Sequence, residues 1–135
     1  MTQPSDALSV LLVEDDPLVL LAVEEMLSGA GFKVVTVDDG QAAMELLERD
    51  ARSFSALVTD IRLGSGLSGW DVGHRARELV PAIPVVYMSG DSGHLWSAHG
   101  VPGSVLIQKP FVEAQLLTAI ATLLNKFRVT GPASE

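Results

Sequence analysis

The chain has 135 residues, a length that fits one domain with a core of its own. It contains no cysteine, which excludes disulfide bridges, thiolate metal sites and cysteine nucleophiles. The formal net charge of -8, with basic residues scattered along the chain, argues against a nucleic-acid partner. The sequence also lacks a signal peptide and an apolar run long enough to span a membrane, so we expect a soluble cytoplasmic protein.

Short apolar runs alternate with helical patterns along the whole chain. The runs have the length and residue types of β-strands and lie at residues 8–13, 33–37, 54–60, 83–89 and 104–108. The helical patterns lie at residues 17–29 (or 31), 41–49, 70–80 and 113–127, with a short, weak helix between 94 and 99. Asp16 can cap the first helix, because Pro17 after it suits the first helical position.

The strand runs are apolar throughout, which is typical of a parallel sheet covered on both faces. Alternation of such strands with helices predicts an α/β fold with a doubly wound parallel sheet. We expect one domain at residues 8–127, preceded by an N-terminal extension at 1–7 and followed by a flexible tail at 128–135.

Polar side chains gather where the predicted strands end. In open α/β sheets, ligands bind outside the carboxyl ends of the strands, so these side chains are expected at one edge. They are Glu14, Asp15 and Asp16 after the first strand, Asp60 at the end of the third, Ser89 at the end of the fourth and Lys109 after the fifth.

This set of residues favours phosphoryl transfer. Carboxylates a few ångström apart cannot all stay ionised unless a cation lies between them, and Mg²⁺ prefers such oxygen ligands. Lys109 and Ser89 add a positive charge and a hydrogen-bond donor, which suit a reaction that depends on positioning and charge neutralisation. Asp60 can be the nucleophile, because an aspartyl carboxylate can carry a phosphoryl group.

Four segments in this order resemble the receiver domain of two-component response regulators, of the stand-alone, CheY-like kind. They are VEDDP, LVTDIRL, VVYMSGD and LIQKPF, each at a predicted strand end, within a resemblance that covers about residues 8–127. The resemblance implies a flavodoxin-like fold, with a five-stranded parallel sheet of order 2-1-3-4-5 flanked by five helices.

The resemblance also implies a role for each polar residue. Asp60 would be the phosphoacceptor, Ser89 the switch hydroxyl, and Lys109, with a cis bond to Pro110, the lysine that contacts the phosphoryl group. Mg²⁺ would be held by Glu14, Asp15, Asp60 and the main-chain carbonyl of Arg62.

A receiver of this kind would accept a phosphoryl group from a histidine kinase or a histidine phosphotransfer protein, and would catalyse only its own phosphorylation and dephosphorylation. It would signal to a downstream protein through the face of the fourth helix, fifth strand and fifth helix. Met1 and the short tail favour a stand-alone protein over a fragment of a hybrid kinase. A homodimer is possible if apolar residues of the last helix form an exposed patch, with Leu117, Leu124 and Phe127 as candidates.

Some residues depart from the family pattern. Leu106 stands where an aromatic switch residue is usual, and Arg62 and Asp91 are placed so that a salt bridge across the site is possible. Two alternatives remain open: a Mg²⁺-dependent phosphatase with an aspartyl nucleophile, and an interaction module that is not phosphorylated. Such phosphatases usually carry a second Asp where this chain has Arg62, and the intact polar set argues against the inert module.

Overall fold

A five-stranded parallel sheet in the order β2-β1-β3-β4-β5 lies at the centre of the computed structural model. Residues 7–130 are described, except 65 and 92, and of 127–130 only the backbone. The strands are β1 (Ser9–Val13), β2 (Lys33–Val37), β3 (Ala56–Asp60), β4 (Val85–Ser89) and β5 (Val105–Gln108). The order is the one that the resemblance implied, so the predicted fold class is confirmed.

In the described part of the chain, five α-helices connect or follow these strands. They are α1 (Pro17–Gly29), α2 (Gly40–Asp50), α3 (Gly69–Leu79), α4 (Trp96–His99) and α5 (Glu113–Thr130). Two short segments of 3₁₀ helix, at Ala51–Ser53 and Gly93–Leu95, precede β3 and α4. Of the described helices, none is both long enough and apolar enough to cross a bilayer.

The apolar composition of the strands follows from burial on both faces of the sheet. Every residue of β3 and β4 is buried, as is β1 after its first residue. Because successive side chains point to opposite faces, Leu11 and Val13 pack with α2 and α3, while Val10 and Leu12 pack with α1 and α5. Two core layers therefore hold the strand ends at a common edge.

Side-chain caps fix the start of α1 and α3. The Asp16 carboxylate accepts a hydrogen bond from the main-chain N–H of Leu18 at 2.9 Å, as the sequence predicts. Ser68 and Asp71 form a reciprocal capping box at the start of α3. Because the cap at Asp16 begins α1 directly after Glu14 and Asp15, these two acids lie in the short connection between β1 and α1, at the edge of the sheet.

Some element bounds differ from the predicted ones. β3 begins at Ala56 rather than residue 54, because the chain first makes the 3₁₀ segment, closed by a hydrogen bond from the Phe54 N–H to the Ala51 carbonyl. α5 continues to Thr130, so it includes the first residues of the segment that we expected to be a tail. The rest of that segment, 131–135, and most of the predicted N-terminal extension, 1–6, lie outside the described residues.

Two of the three apolar residues of α5 that were candidates for an exposed patch are partly buried in the structure. Leu117 and Leu124 are half-buried and pack against the core layer below α1 and α5. The side chain of Phe127 lies outside the described part of the chain. Large apolar side chains are instead exposed elsewhere, among them Leu18, Leu21 and Val112.

Candidate functional site

Acidic side chains from two strands meet at the carboxyl edge of the sheet. Glu14 and Asp15 directly follow β1, and Asp60 is the last residue of β3, which pairs with β1 in parallel. One carboxylate oxygen of each residue lies within 4.8 Å of the others. The structure therefore brings together the three acids that the sequence analysis assigned to one site.

Lys109 links two of these carboxylates. Its Nζ donates to Oε1 of Glu14 at 2.8 Å and lies 3.2 Å from Oδ1 of Asp60. The second Glu14 oxygen, Oε2, accepts the main-chain N–H of Asp16 at 3.1 Å. Glu14 is buried with both oxygens engaged, whereas Asp15 is exposed to solvent.

Burial and the short distances between these groups shift their pKa values. Burial raises the pKa of Asp60, an effect that the charge of Lys109 opposes and the charge of Asp15 reinforces. Burial likewise raises the pKa of Glu14, against the hydrogen bond from Lys109. Burial by itself would lower the pKa of Lys109, but the hydrogen bond to Glu14 and the charge of Asp60 raise it above its ordinary value. Lys109 therefore stays protonated between the two carboxylates, and a further cation beside them would stabilise their ionised forms.

The donor set fits Mg²⁺. All candidate ligands are oxygens, and the carboxylates of Glu14, Asp15 and Asp60 are close enough to share one ion. Asp15 and Asp60 are better placed than Glu14 for direct ligation, because both Glu14 oxygens already accept hydrogen bonds.

A cavity of about 380 Å³ opens above Asp60. It is lined by the last residues of β3 and β4, Asp60 and Ser89, and by residues that follow β3, β4 and β5, among them Arg62 and Lys109. Ser89 is buried at the end of β4, and its main-chain carbonyl accepts the N–H of Lys109 at 2.8 Å. The Lys109–Pro110 peptide bond is cis. The five side chains assigned to the site are thus at this edge, as is Arg62, although their roles stay predictions.

A larger apolar cavity of about 740 Å³ lies at the opposite edge of the sheet. It is lined by residues that precede the strands, such as Leu8 and Phe32, and by α5 residues such as Leu124. Among the described residues that line it, none is charged. In the described part of the chain, this cavity therefore does not offer the charged groups that phosphoryl chemistry requires.

Gly69 is a residue of the site that the sequence analysis did not single out. A Cβ atom at Gly69 would lie 2.1 Å from the Asp60 carbonyl oxygen, and the Gly69 N–H donates to the Ile61 carbonyl at 2.8 Å. The start of α3 therefore rests directly on the main chain of Asp60. The only signal in the sequence is a glycine at the start of a predicted helix. The segment GSGLSG contains three glycines, and the sequence does not indicate which of them contacts the strand end.

The residues that depart from the family pattern, Leu106, Arg62 and Asp91, have defined surroundings, as does Tyr87 near the end of β4. Leu106 is half-buried against the core layer of α2 and α3. Tyr87 is buried, and its hydroxyl oxygen accepts the main-chain N–H of Val101 at 3.2 Å. The Arg62 guanidinium pairs with the Asp91 carboxylate, with 2.5 Å between Nη1 and Oδ2.

Comparisons with known proteins agree with this architecture. The chain is similar to a solved response regulator receiver protein from Sinorhizobium medicae, with 42% identity and a TM-score of 0.86, over 89% of this chain and 96% of that one. The receiver domain of a Pseudomonas aeruginosa sensor histidine kinase, solved with a magnesium ion in its active site cleft, is 24% identical with a TM-score of 0.75, over 88% and 98% of the two chains. At this lower identity the likeness shows the fold alone.

Curated relatives are longer than this chain. YrkP of Bacillus subtilis, an uncharacterized transcriptional regulatory protein, is 27% identical over 125 residues, which are 91% of this chain and 52% of YrkP. The chain spans about half the length, or less, of the curated relatives it matches. The profile of the response regulator receiver domain matches residues 10–121, most of the chain. The chain therefore belongs to the response regulator receiver domain family.

Proposed function

We propose that this chain is a phosphoacceptor of a cytoplasmic two-component phosphorelay, with Asp60 as the residue that is phosphorylated. The observation that carries the proposal is the position of Asp60. Its carboxylate lies 3.2 Å from the Lys109 ammonium, in a cavity that also contains Ser89 and adjoins Asp15. This arrangement supports the proposal, because a carboxylate, an ammonium group and a hydroxyl surround one space of suitable size for a phosphoryl group.

The donor would be a phosphohistidine of a histidine kinase or of a histidine phosphotransfer protein. A carboxylate oxygen of Asp60 forms a bond to phosphorus, while the bond from phosphorus to the histidine nitrogen breaks and its electron pair returns to the imidazole. Lys109 and Ser89 then donate hydrogen bonds to the phosphoryl oxygens.

Mg²⁺ would be held by Asp15, Asp60 and the main-chain carbonyl of Arg62, with Glu14 close behind them. When bound, it would neutralise charge that develops on the phosphoryl oxygens. The short distances between the carboxylates of Glu14, Asp15 and Asp60, which could share one ion, support this part of the proposal. Glu14 would act mainly by holding Lys109, because its Oε1 accepts from that ammonium at 2.8 Å.

Receiver domains are signalling modules, and we propose that the output of this one is a protein contact. The face formed by α4, β5 and α5 lies beside Ser89 and Lys109, which are the last residue of β4 and the first residue after β5. A shift of these two residues toward a phosphoryl group would change the population of conformations of that face. Residues 8–127 would form the receiver domain, and the chain would have catalytic activity only on its own phosphorylation state.

Incubation with Mg²⁺ and acetyl phosphate tests the proposal, with intact-mass spectrometry as the readout. We expect the mass of one phosphoryl group on the wild-type chain and no such gain in Asp60→Asn. A matched control is Asp71→Asn, which changes a carboxylate of the α3 capping box instead of one in the acidic cluster.

The rival functions give different results in the same assay. Rapid turnover of many phosphate esters, without a stable adduct, would indicate a phosphatase and contradict the proposal. Absence of labelling by acetyl phosphate and by phosphorylated kinases would indicate an interaction module that is not phosphorylated.

A further inference from the structure

A chain of hydrogen bonds attaches the helix α4 to the strand β4. The hydroxyl oxygen of Tyr87, in β4, accepts the main-chain N–H of Val101 at 3.2 Å. The Ser104 hydroxyl donates to the Val101 carbonyl at 2.6 Å and accepts the indole N–H of Trp96 at 2.9 Å. These three hydrogen bonds, here called the α4 latch, join the first residue of α4 to the sheet through the loop before β5.

The latch is set into the core of the protein. Tyr87 is fully buried, and a Cβ atom at Gly73 of α3 would overlap its hydroxyl. A Cβ atom at Gly100 would likewise overlap the Trp96 indole. Ser104, in the middle of the latch, is also buried. The helix itself has four residues, none of them fully buried, so its position depends strongly on the latch.

We propose that the α4 latch reads out phosphorylation of Asp60: a shift of Ser89 toward the phosphoryl group opens the latch and releases the indole of Trp96. The inference rests on the proposed function and names the contact through which the signal reaches α4. Because Leu106 takes the place of the usual aromatic switch residue, this chain needs a different device for its readout.

The two halves of the latch are connected to β4 in different ways. Val101 is held by Tyr87, which lies within a strand whose residues are all buried. Trp96 is connected to the end of the same strand, Ser89, through a short segment of main chain. A displacement of the strand end therefore moves Trp96 more than it moves Val101. The hydrogen bond between these two parts, from Trp96 to Ser104, is the one that breaks.

The latch can be opened by a small change in free energy. The net contribution of a neutral hydrogen bond corresponds to about a two- to tenfold change in a two-state equilibrium. Loss of one bond of the latch should therefore raise the population of released α4 by about that factor. Phosphorylation needs to favour the released state by no more than a shift of this kind.

Fluorescence of Trp96 tests the latch in a Trp70→Phe background, which leaves one tryptophan in the chain. After labelling with Mg²⁺ and acetyl phosphate, the emission should shift to longer wavelength and quenching by acrylamide should rise, because the released indole meets water. The same treatment of Asp60→Asn in this background should change neither quantity.

Two variants should open the latch without phosphorylation. Ser104→Ala removes the acceptor of the indole N–H, so its Trp96 emission should already lie at longer wavelength, and labelling should shift it little. Tyr87→Phe removes the acceptor of the Val101 N–H, so hydrogen exchange of that amide should be about two- to tenfold faster. Both variants should gain the phosphoryl mass as the wild type does, because neither side chain lines the cavity above Asp60.

A matched control removes a hydroxyl of the same kind elsewhere. The Ser53 hydroxyl donates to the carbonyl of Asp50 at 2.8 Å, three residues back in the chain, as the Ser104 hydroxyl does to Val101. Ser53→Ala should keep the wild-type emission and its full shift on labelling.

The possible failures are distinguishable. A chain that gains the phosphoryl mass while its Trp96 emission stays the same or moves to shorter wavelength would overturn the latch and leave Asp60 as the phosphoacceptor. A Ser104→Ala variant with wild-type emission and the full shift would have the same meaning. A wild-type chain that takes no label would overturn both the latch and the proposed function.

Discussion

The three acids of the segment VEDDP have three different surroundings. Glu14 is buried and bound to Lys109, Asp15 is exposed beside Asp60, and Asp16 caps α1. The cap at Asp16 could be predicted, because its signal is local: an Asp followed directly by a Pro at the first helical position. The contact between Glu14 and Lys109 could not be, because it joins residues 95 positions apart. A long-range contact of this kind follows from the sheet, not from the local sequence.

Removal of Lys109 should destabilise the fold. In Lys109→Met, the buried carboxylates of Glu14 and Asp60 lose their cation. Deletion of one partner of a buried ion pair is destabilising, because the charge that remains is buried without compensation. We expect the free energy of unfolding in the presence of a chelator to fall by about 2 to 3 kcal/mol, less than for a fully buried pair because Lys109 retains partial exposure. Urea denaturation followed by circular dichroism measures it.

Two further variants test the cause of this loss. Adding Glu14→Gln to Lys109→Met should recover part of the stability, since it removes one of the unpaired carboxylates. Arg75→Met, which breaks an exposed pair, should unfold at a urea concentration close to that of the wild type. If Lys109→Met unfolded at the same urea concentration as the wild type, the buried pair would not stabilise the fold as its burial implies.

The raised pKa of Asp60 predicts a pH dependence of stability without metal. Because burial raises this pKa in the folded state, the contribution of Asp60 to stability is fully present below its unfolded pKa of about 3.9 and is lost as the pH rises through the folded value. Asp60→Asn cannot ionise. Its melting temperature relative to the wild type should therefore increase from about pH 4 to neutral pH, measured by calorimetry with a chelator. A difference that stayed constant over this range would contradict the raised pKa.

The start of α3 shows how one element positions another. A side chain at Gly69 would overlap the carbonyl oxygen of Asp60, so only glycine lets α3 begin this close to the end of β3. The capping box of Ser68 and Asp71 fixes the same helix end. These contacts hold the main chain of Asp60 between its own strand and the next helix.

Gly69→Ala should therefore shift this junction. We expect the free energy of unfolding to fall by about 1 to 3 kcal/mol, as for other overpacked sites, and the rate of labelling by acetyl phosphate to fall with it. Gly29→Ala is a matched control, because Gly29 ends α1 and a Cβ atom added there would meet no other atom within 4 Å. It should leave both quantities unchanged or raise stability slightly. Equal stability of the two variants would show that the close contact at Gly69 relaxes without cost.

Element bounds could be predicted where a local signal defines them. β2 has its predicted bounds, since the run KVVTV begins with the polar residue Lys33 and is followed by Asp38 and Asp39. The start of β3 was predicted two residues early, because Phe54 is apolar but packs in the core from a turn rather than from the strand. An apolar residue next to a strand indicates burial, and only pairing with the neighbouring strand decides where the strand begins.

At the scale of the whole molecule, the parallel sheet is what assembles the site. Four segments far apart in the sequence reach one edge, because β1, β3, β4 and β5 all run in the same direction. That edge could be predicted from the alternation of apolar strands and helices alone. The order of the strands came only through the family resemblance, because the apolar runs do not reveal which strands are neighbours. The half-buried positions of Leu117 and Leu124 were also not predictable, as the helical pattern of α5 is apolar around much of its circumference.

Metal binding should couple the acidic cluster to the stability of the whole chain. A ligand that binds only the folded state raises the melting temperature in proportion to the logarithm of its concentration, once it exceeds the dissociation constant. We expect this rise with Mg²⁺ for the wild type and a much smaller rise for Asp15→Asn. Without metal, Asp15→Asn should be the more stable of the two, because it removes a charge from three clustered carboxylates.

Glu25→Gln is the control for this titration, since Glu25 is an exposed acid of α1 that is not part of the acidic cluster. It should respond to Mg²⁺ as the wild type does. A wild-type response in Asp15→Asn, or a loss of stability in that variant without metal, would contradict the account of clustered charge.

The central claim is that Asp60 carries the phosphoryl group, and chemical trapping of the labelled residue tests it most directly. Borohydride reduces an aspartyl phosphate to homoserine, which peptide mass spectrometry can locate. After incubation with Mg²⁺ and acetyl phosphate, we predict homoserine at position 60 and at no other aspartate. Homoserine at Asp15 or Asp91, or an unmodified Asp60 in a chain that has gained a phosphoryl group, would contradict the claim.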